Sequence, residues 1–223
     1  MRSPIFDKDN HRDPSTDRYV LESSKLLRIG MGPEIVAQKG AMVAYRGHLD
    51  FAHQGSNGFG KFLKKQFTGE GKNLMRVSGQ GEAWLAIQAQ EIFLMELENE
   101  GLTLNTDHVL AFDATLQYEP RMLGNAGLMS GGLFNLEIGG SGMVAVVSDG
   151  TPLILDASQG PIFTDPQATV CWSANLSPTI KNDFKMGSLI GRGSGEAFQL
   201  AFHGPGFVII QPSEGLPVFG ASS

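Results

Sequence analysis

The chain has 223 residues, of which 41% are hydrophobic and 18% charged, with a formal net charge of −6 and one cysteine. This balance excludes a disordered chain, and a single Cys171 excludes an internal disulfide or a cysteine-based zinc cluster. The acidic surplus argues against nucleic-acid binding, which needs Lys and Arg to displace counterions from phosphates.

Residues 1–17 are polar, carry Pro4 and Pro14, and read as a disordered N-terminal tail without the apolar core of a secretory signal. No run approaches the roughly 20 apolar residues of a membrane-spanning helix. The expected location is therefore cytoplasmic. Residues 18–33 hold a weakly apolar stretch that ends at the turn signal Gly30-Met31-Gly32-Pro33.

The first strongly patterned segment is 43–51 (VAYRGHLDF), where Val43, Tyr45, Leu49 and Phe51 alternate with Arg46, His48 and Asp50. Period-two alternation predicts a strand with one buried and one wet face. The pattern recurs at 110–118 (LAFDATLQY) and 170–177 (VCWSANLS). Aligned, the three segments share an aromatic (Tyr45, Phe112, Trp172), then a small residue (Gly47, Ala114, Ala174), then a leucine (Leu49, Leu116, Leu176). Such an order lets a core layer interdigitate without voids. In this reading Cys171 faces outward as an inert thiol.

A second motif also occurs three times: 73–81 (NLMRVSGQG), 134–142 (FNLEIGGSG) and 198–206 (FQLAFHGPG). Each is followed by an apolar run and reads as a hairpin hinged at Gly-x-Gly. The second glycines, Gly81, Gly142 and Gly206, lie 61 and 64 residues apart, and the aromatics lie 67 and 60 apart. Two markers with one period predict internal triplication. The fold class expected is all-β, with three repeated antiparallel sandwich-like units in a pseudo-threefold arrangement and at most short helices. The units span about 34–97, 98–155 and 156–212 within one domain, 18–212, followed by a tail at 213–223. Strand candidates 92–97, 102–104 and 153–155 link the units. Residues 19–29 are expected to supply the strand missing after 207–211 and so cover an open sheet edge.

Between the motifs, Phe59, Phe62, Leu63 and Phe67 fall at helical spacing, whereas 124–127 and 187–193 read as glycine-rich loops. Chemistry is sparse. His48, His53 and Asp50 offer too few convergent ligands for a metal site, and the remaining histidines, His11, His108 and His203, are isolated in sequence. Ser78, Ser130, Ser141 and Ser194 lie in turn-like glycine runs that lack the nucleophile-elbow pattern. No catalytic residue, cofactor or metal is expected. The weak binding candidates are the basic cluster Lys61, Lys64, Lys65, Lys72 and Arg76, which suits an acidic partner or anionic head groups, and Arg192 in a loop, 191–195, that has no P-loop lysine.

The segments 35–43 (IVAQKGAMV), 67–71 (FTGEG), 79–86 (GQGEAWLA), 104–113 (LNTDHVLAFD) and 204–212 (GPGFVIIQP) together resemble the altered-inheritance-of-mitochondria protein twenty-four family, a TRAP-like mitochondrial biogenesis family. The resemblance implies a bacterial member with repeated β units, and it brings no catalytic residues. Fold alone does not license the RNA binding in the TRAP-like name. The function expected is a non-enzymatic scaffold that associates with itself or a protein partner, with possible peripheral membrane contact. The alternatives are a small-ligand, anion or lipid head-group module and, behind both, RNA binding.

Overall fold

The computed structural model describes residues 2–6, 15–53, 74–123, 134–181 and 199–213. Fifteen strands run through them: β1 Tyr19–Ser23, β2 Leu26–Met31, β3 Ile35–Gln38, β4 Met42–His53, β5 Leu74–Leu85, β6 Glu91–Asn105, β7 Val109–Asp113, β8 Gln117–Met122, β9 Phe134–Ser148, β10 Leu153–Asp156, β11 Ile162–Thr164, β12 Thr169–Ser173, β13 Thr179–Lys181, β14 Gln199–Phe202 and β15 Phe207–Ile210. The only helical elements among the described residues are three-residue 3-10 turns. The fold is all-β.

The large sheet runs β1-β2-β5-β3-β7-β9-β6-β12-β15-β10, with β4 on β5 and β8 on β9, and a smaller sheet runs β11-β14-β13. Adjacent strands pair antiparallel throughout, for example β6 with β9 and β4 with β5. Three apolar clusters form the core, centred on Leu27, Ile29 and Val77, on Phe112, Leu136 and Ile138, and on Trp172 and Phe202.

The Gly-x-Gly motifs are not hairpins. β5 and β9 pass straight through Gly79–Gly81 and Gly140–Gly142, and only the third copy breaks, between β14 and β15. The glycines bend the strand instead. Their φ values pair off across the copies: Gly79 114°, Gly140 115° and Gly204 120°, then Gly81 144°, Gly142 155° and Gly206 153°. Positive φ of this size suits glycine alone. An added Cβ on Gly81 would also stand 1.9 Å from the Arg46 carbonyl oxygen. The bend lets one long strand serve two sets of partners, one on each side of it.

The patterned segments hold one register on those long strands. Tyr45 lies opposite Ala83, Phe112 opposite Val144 and Trp172 opposite Val208, each two residues past the second glycine. A bulge precedes each aromatic and leaves Val43, Leu110 and Val170 as the extra residues. Each aromatic meets another ring edge-on: Tyr45 with Phe51 at 5.4 Å, Phe112 with Tyr118 at 5.0 Å and Trp172 with Phe202 at 5.3 Å.

Several expectations need correction. Segments 110–118 and 170–177 are not single strands. The Leu116 amide donates to the Asp113 carbonyl at 3.0 Å and Leu176 to Ser173 at 2.9 Å, so each chain turns there. Leu116 and Leu176 then pack against the glycines, at 3.3 Å from the Gly142 and 3.1 Å from the Gly206 Cβ position. Segments 92–97 and 102–104 are one strand, β6, because a bulge near Asn99 carries it past the bend in β9. Cys171 does not face outward. It belongs to the apolar cluster of Phe112, Leu136 and Ile138, which buries the thiol completely and pushes its pKa up by desolvation.

The N-terminal stretch does not pair beside residues 207–211. β1 pairs with β2, and β2 pairs with β5, opposite residues 81–85. The strand beside β15 is β10, which precedes the third motif. Each linking strand thus joins the motif after it, as β6 joins β9. Within 1–17, residues 2–6 and 15–17 are described; Pro4–Phe6 form a 3-10 turn, and Ser15 is held through its carbonyl, which accepts from Arg28 at 3.1 Å.

Candidate interaction edge

The positions that most need explaining are on β4. Val43 is 61% exposed and Tyr45 51%, whereas the matching Leu110, Phe112, Val170 and Trp172 are at most 1% exposed. Ala44 is exposed as well, while its counterparts Ala111 and Cys171 are fully buried. The cause is the neighbouring strand. β7 is covered on its second edge by β3, and β12 by β6. Among the described residues β4 pairs with β5 alone. The expected inward set Val43, Tyr45, Leu49 and Phe51 is therefore half right. Leu49 and Phe51 are partly buried and Val43 and Tyr45 are not.

Charged groups steady this edge. Arg28, 8% exposed, spans Glu22 and Glu82 at 3.0 Å each, and Glu82 also pairs with Arg46. Arg46 lies over the Trp84 ring, 5.9 Å from its centroid. Buried Arg28 thus has both carboxylates it needs, and the Arg46 head stays in water.

A second exposed apolar group sits on an edge strand of the smaller sheet. On β11, Phe163 is 47% exposed, with the Lys181 ammonium 4.2 Å from its ring centroid. β11 pairs only with β14 among the described residues. Leu153 and Ile154 of β10 are also exposed.

A separate network ties the N-terminal segment to the middle of the chain. The Asp113 carboxylate accepts from Arg18 Nη1 at 2.5 Å, from the Tyr19 hydroxyl at 2.7 Å and from the Met143 amide at 2.9 Å. Burial, and then the bond to Asp113, push the Tyr19 pKa up. Ser173, next to Trp172 as Asp113 is to Phe112, accepts likewise through its hydroxyl from the Phe207 amide at 2.9 Å. Sequence reasoning missed Asp113, whose outward position in an alternating run gave no signal of a partner 94 residues away.

Of the binding candidates, Lys61, Lys64, Lys65, Lys72 and Arg192 lie outside the described residues, as do 59–67, 124–127, 187–193, His11, Ser130 and Ser194. Arg76 is described and is committed to Glu34 at 2.7 Å. His48 is exposed on β4, and buried His108 places Nδ1 2.9 Å from the Val147 carbonyl oxygen. No group of three or more His, Cys, Asp or Glu side chains suited to a metal occurs among the described residues. No helix there is long and apolar enough to cross a membrane.

The arrangement has a counterpart among solved structures. A Streptococcus pyogenes protein determined by X-ray crystallography shares the fold with a TM-score of 0.71 at 24% identity, over 87% of this chain and 92% of its own. No curated protein matches. The family model described as Mitochondrial biogenesis AIM24 matches residues 19–213, and the chain belongs to that family.

Proposed function

We propose that the chain is a non-enzymatic structural scaffold made of three copies of one β unit in a pseudo-threefold series, whose working surface is the uncovered edge of β4. The unit boundaries that fit the strand pairing are 26–85, 91–148 and 153–210, each opening on the linking strand that pairs beside its own long strand. The shared bulge, aromatic register and glycine φ values support the triplication. One observation carries the functional reading: the same strand position is buried in the second and third copies and exposed in the first. A bare strand edge beside large apolar side chains invites another chain to pair with it.

The test is tyrosine footprinting of the full-length chain. Tyr19, Tyr45 and Tyr118 are its three tyrosines, and Tyr45 is the exposed one. The reading predicts that Tyr45 is labelled in dilute protein and becomes shielded in concentrated protein or in cell extract, while Tyr19 and Tyr118 keep their low labelling. Equal labelling of Tyr45 under all conditions would remove the edge as a working surface.

A further inference from the structure

We infer that the open edge of β4 receives β11 from a second copy of the chain, with Tyr45 opposite Phe163 of that copy. This names the partner for the scaffold reading above and rests on it. Three segments stand at one place on the long strands: Ile35 of β3 opposite Val77, Leu102 of β6 opposite Ile138, and Ile162 of β11 opposite Phe202. Each partner lies four residues before the second glycine. The free edge of β3 carries β7, and that of β6 carries β12. β11 is the one segment of this type that carries nothing among the described residues, and β4 is the one receiving strand that holds nothing. Each chain therefore has one unfilled donor and one unfilled acceptor of the same kind.

The two filled junctions share a register. Ile35, Val36 and Ala37 lie opposite Asp113, Phe112 and Ala111. Leu102, Thr103 and Leu104 lie opposite Ser173, Trp172 and Cys171. One backbone bond flanks each junction, from the Ala114 amide to the Glu34 carbonyl at 3.1 Å and from Ala174 to Gly101 at 3.0 Å. Carried to the open ends, the register puts Ile162, Phe163 and Thr164 opposite Arg46, Tyr45 and Ala44. Two exposed rings, Phe163 at 47% and Tyr45 at 51%, then fall face to face. Val43 would be covered as Leu110 and Val170 already are.

The pairing is head to tail, because β4 and β11 are different surfaces. Such contacts repeat from copy to copy and close into a ring or extend as a filament according to the rotation at each junction.

The test is a cysteine pair, Arg46→Cys with Ile162→Cys, in the full chain. Opposed residues on paired strands bring Cα atoms within about 4.5–5.5 Å, inside disulfide range. Arg46 has a side chain 75% exposed, so its replacement leaves the core intact, and native Cys171 stays buried and unreactive. Mild oxidation should give a ladder of linked chains on non-reducing gels. Either single variant should give at most dimers, and Asp50→Cys with Ile162→Cys, about 13 Å out of register, should give little product. Linkage no greater than that of the out-of-register pair overturns the inference. So does a disulfide formed within one chain, which would seat β11 on its own β4. Tyr45 shielded without a ladder leaves the scaffold reading standing with a different partner, whereas Tyr45 labelled throughout defeats the scaffold reading itself.

Discussion

Phe112 lies directly opposite Val36 across the β3–β7 ladder, and both side chains are fully buried. Trp172 opposite Thr103 repeats the arrangement. The contrast with Tyr45 gives a first prediction. Phe112→Ala or Trp172→Ala should each cost about 3–5 kcal/mol in chemical denaturation, from lost transfer energy and the cavity left behind. Tyr45→Ala, measured in dilute protein, should stay within about 1 kcal/mol, as for an exposed substitution. A large loss at Tyr45 under those conditions would mean that the first copy is already closed within the chain.

The glycine bends give a graded series. Gly81→Ala should cost on the order of 3 kcal/mol or more, because strained φ adds to a clash with the Arg46 backbone. Gly142→Ala meets the side chains of Asp113 and Leu116 at 3.1–3.3 Å, and a cost of about 1–3 kcal/mol is expected. Gly40 has φ 87° and nothing within 4 Å, so Gly40→Ala should cost only the roughly 1–2 kcal/mol of the left-handed backbone. Thermal melts of the three variants check the order.

Asp113 is the hub that holds the N-terminal segment against β7 and β9. Asp113→Ala leaves the Met143 amide and the Tyr19 hydroxyl without their acceptor, while Arg18 loses its carboxylate but keeps the Gly30 and Pro33 carbonyls. The expected loss is about 1–3 kcal/mol, kept modest because the Arg18 side chain is 28% exposed. Hydrogen exchange should show the loss concentrated in β1 and β2, with β12 and β15 little affected.

Alkaline stability follows from two buried acids. The Cys171 thiol, ordinarily titrating at 9.0, and the Tyr19 phenol, ordinarily at 10.0, are both pushed up by burial in the folded chain. Each stays protonated when folded and ionises when unfolded, so the unfolded state binds fewer protons above those values. Stability is therefore full below about pH 9 and falls as pH rises, by about 1.4 kcal/mol per unit for each group. Cys171→Ala should flatten the decline that begins near pH 9, and Tyr19→Phe the part that begins near pH 10. Melts across pH 7.5 to about 11 read both slopes.

The all-β class and the spacing of like segments were legible because alternation and glycine placement are local signals. The recurrence of an aromatic at Tyr45, Phe112 and Trp172 was also legible, though not the long strand on which each one pairs. Two further things were not. A glycine pair with positive φ is compatible with a hairpin and with a bend, and only the partners of β5 and β9 on both sides of the bend decide for the bend. Burial at Tyr45 depends on which strand lies beside β4, a non-local fact that the nine residues of the pattern do not encode. The same limit put Cys171 on the wrong face, since alternation assumes one wet side and β12 has both edges and both faces covered.

The account turns on β4 being an acceptor strand that a second copy of the chain fills. Light scattering on the wild type and on Val43→Lys, across a concentration series, tests this most directly. The account predicts a wild-type mass that rises to a whole-number multiple of 23.9 kDa, and a variant that holds at a single chain with an unchanged circular dichroism spectrum. A wild type that stays at one chain mass at every concentration would contradict it.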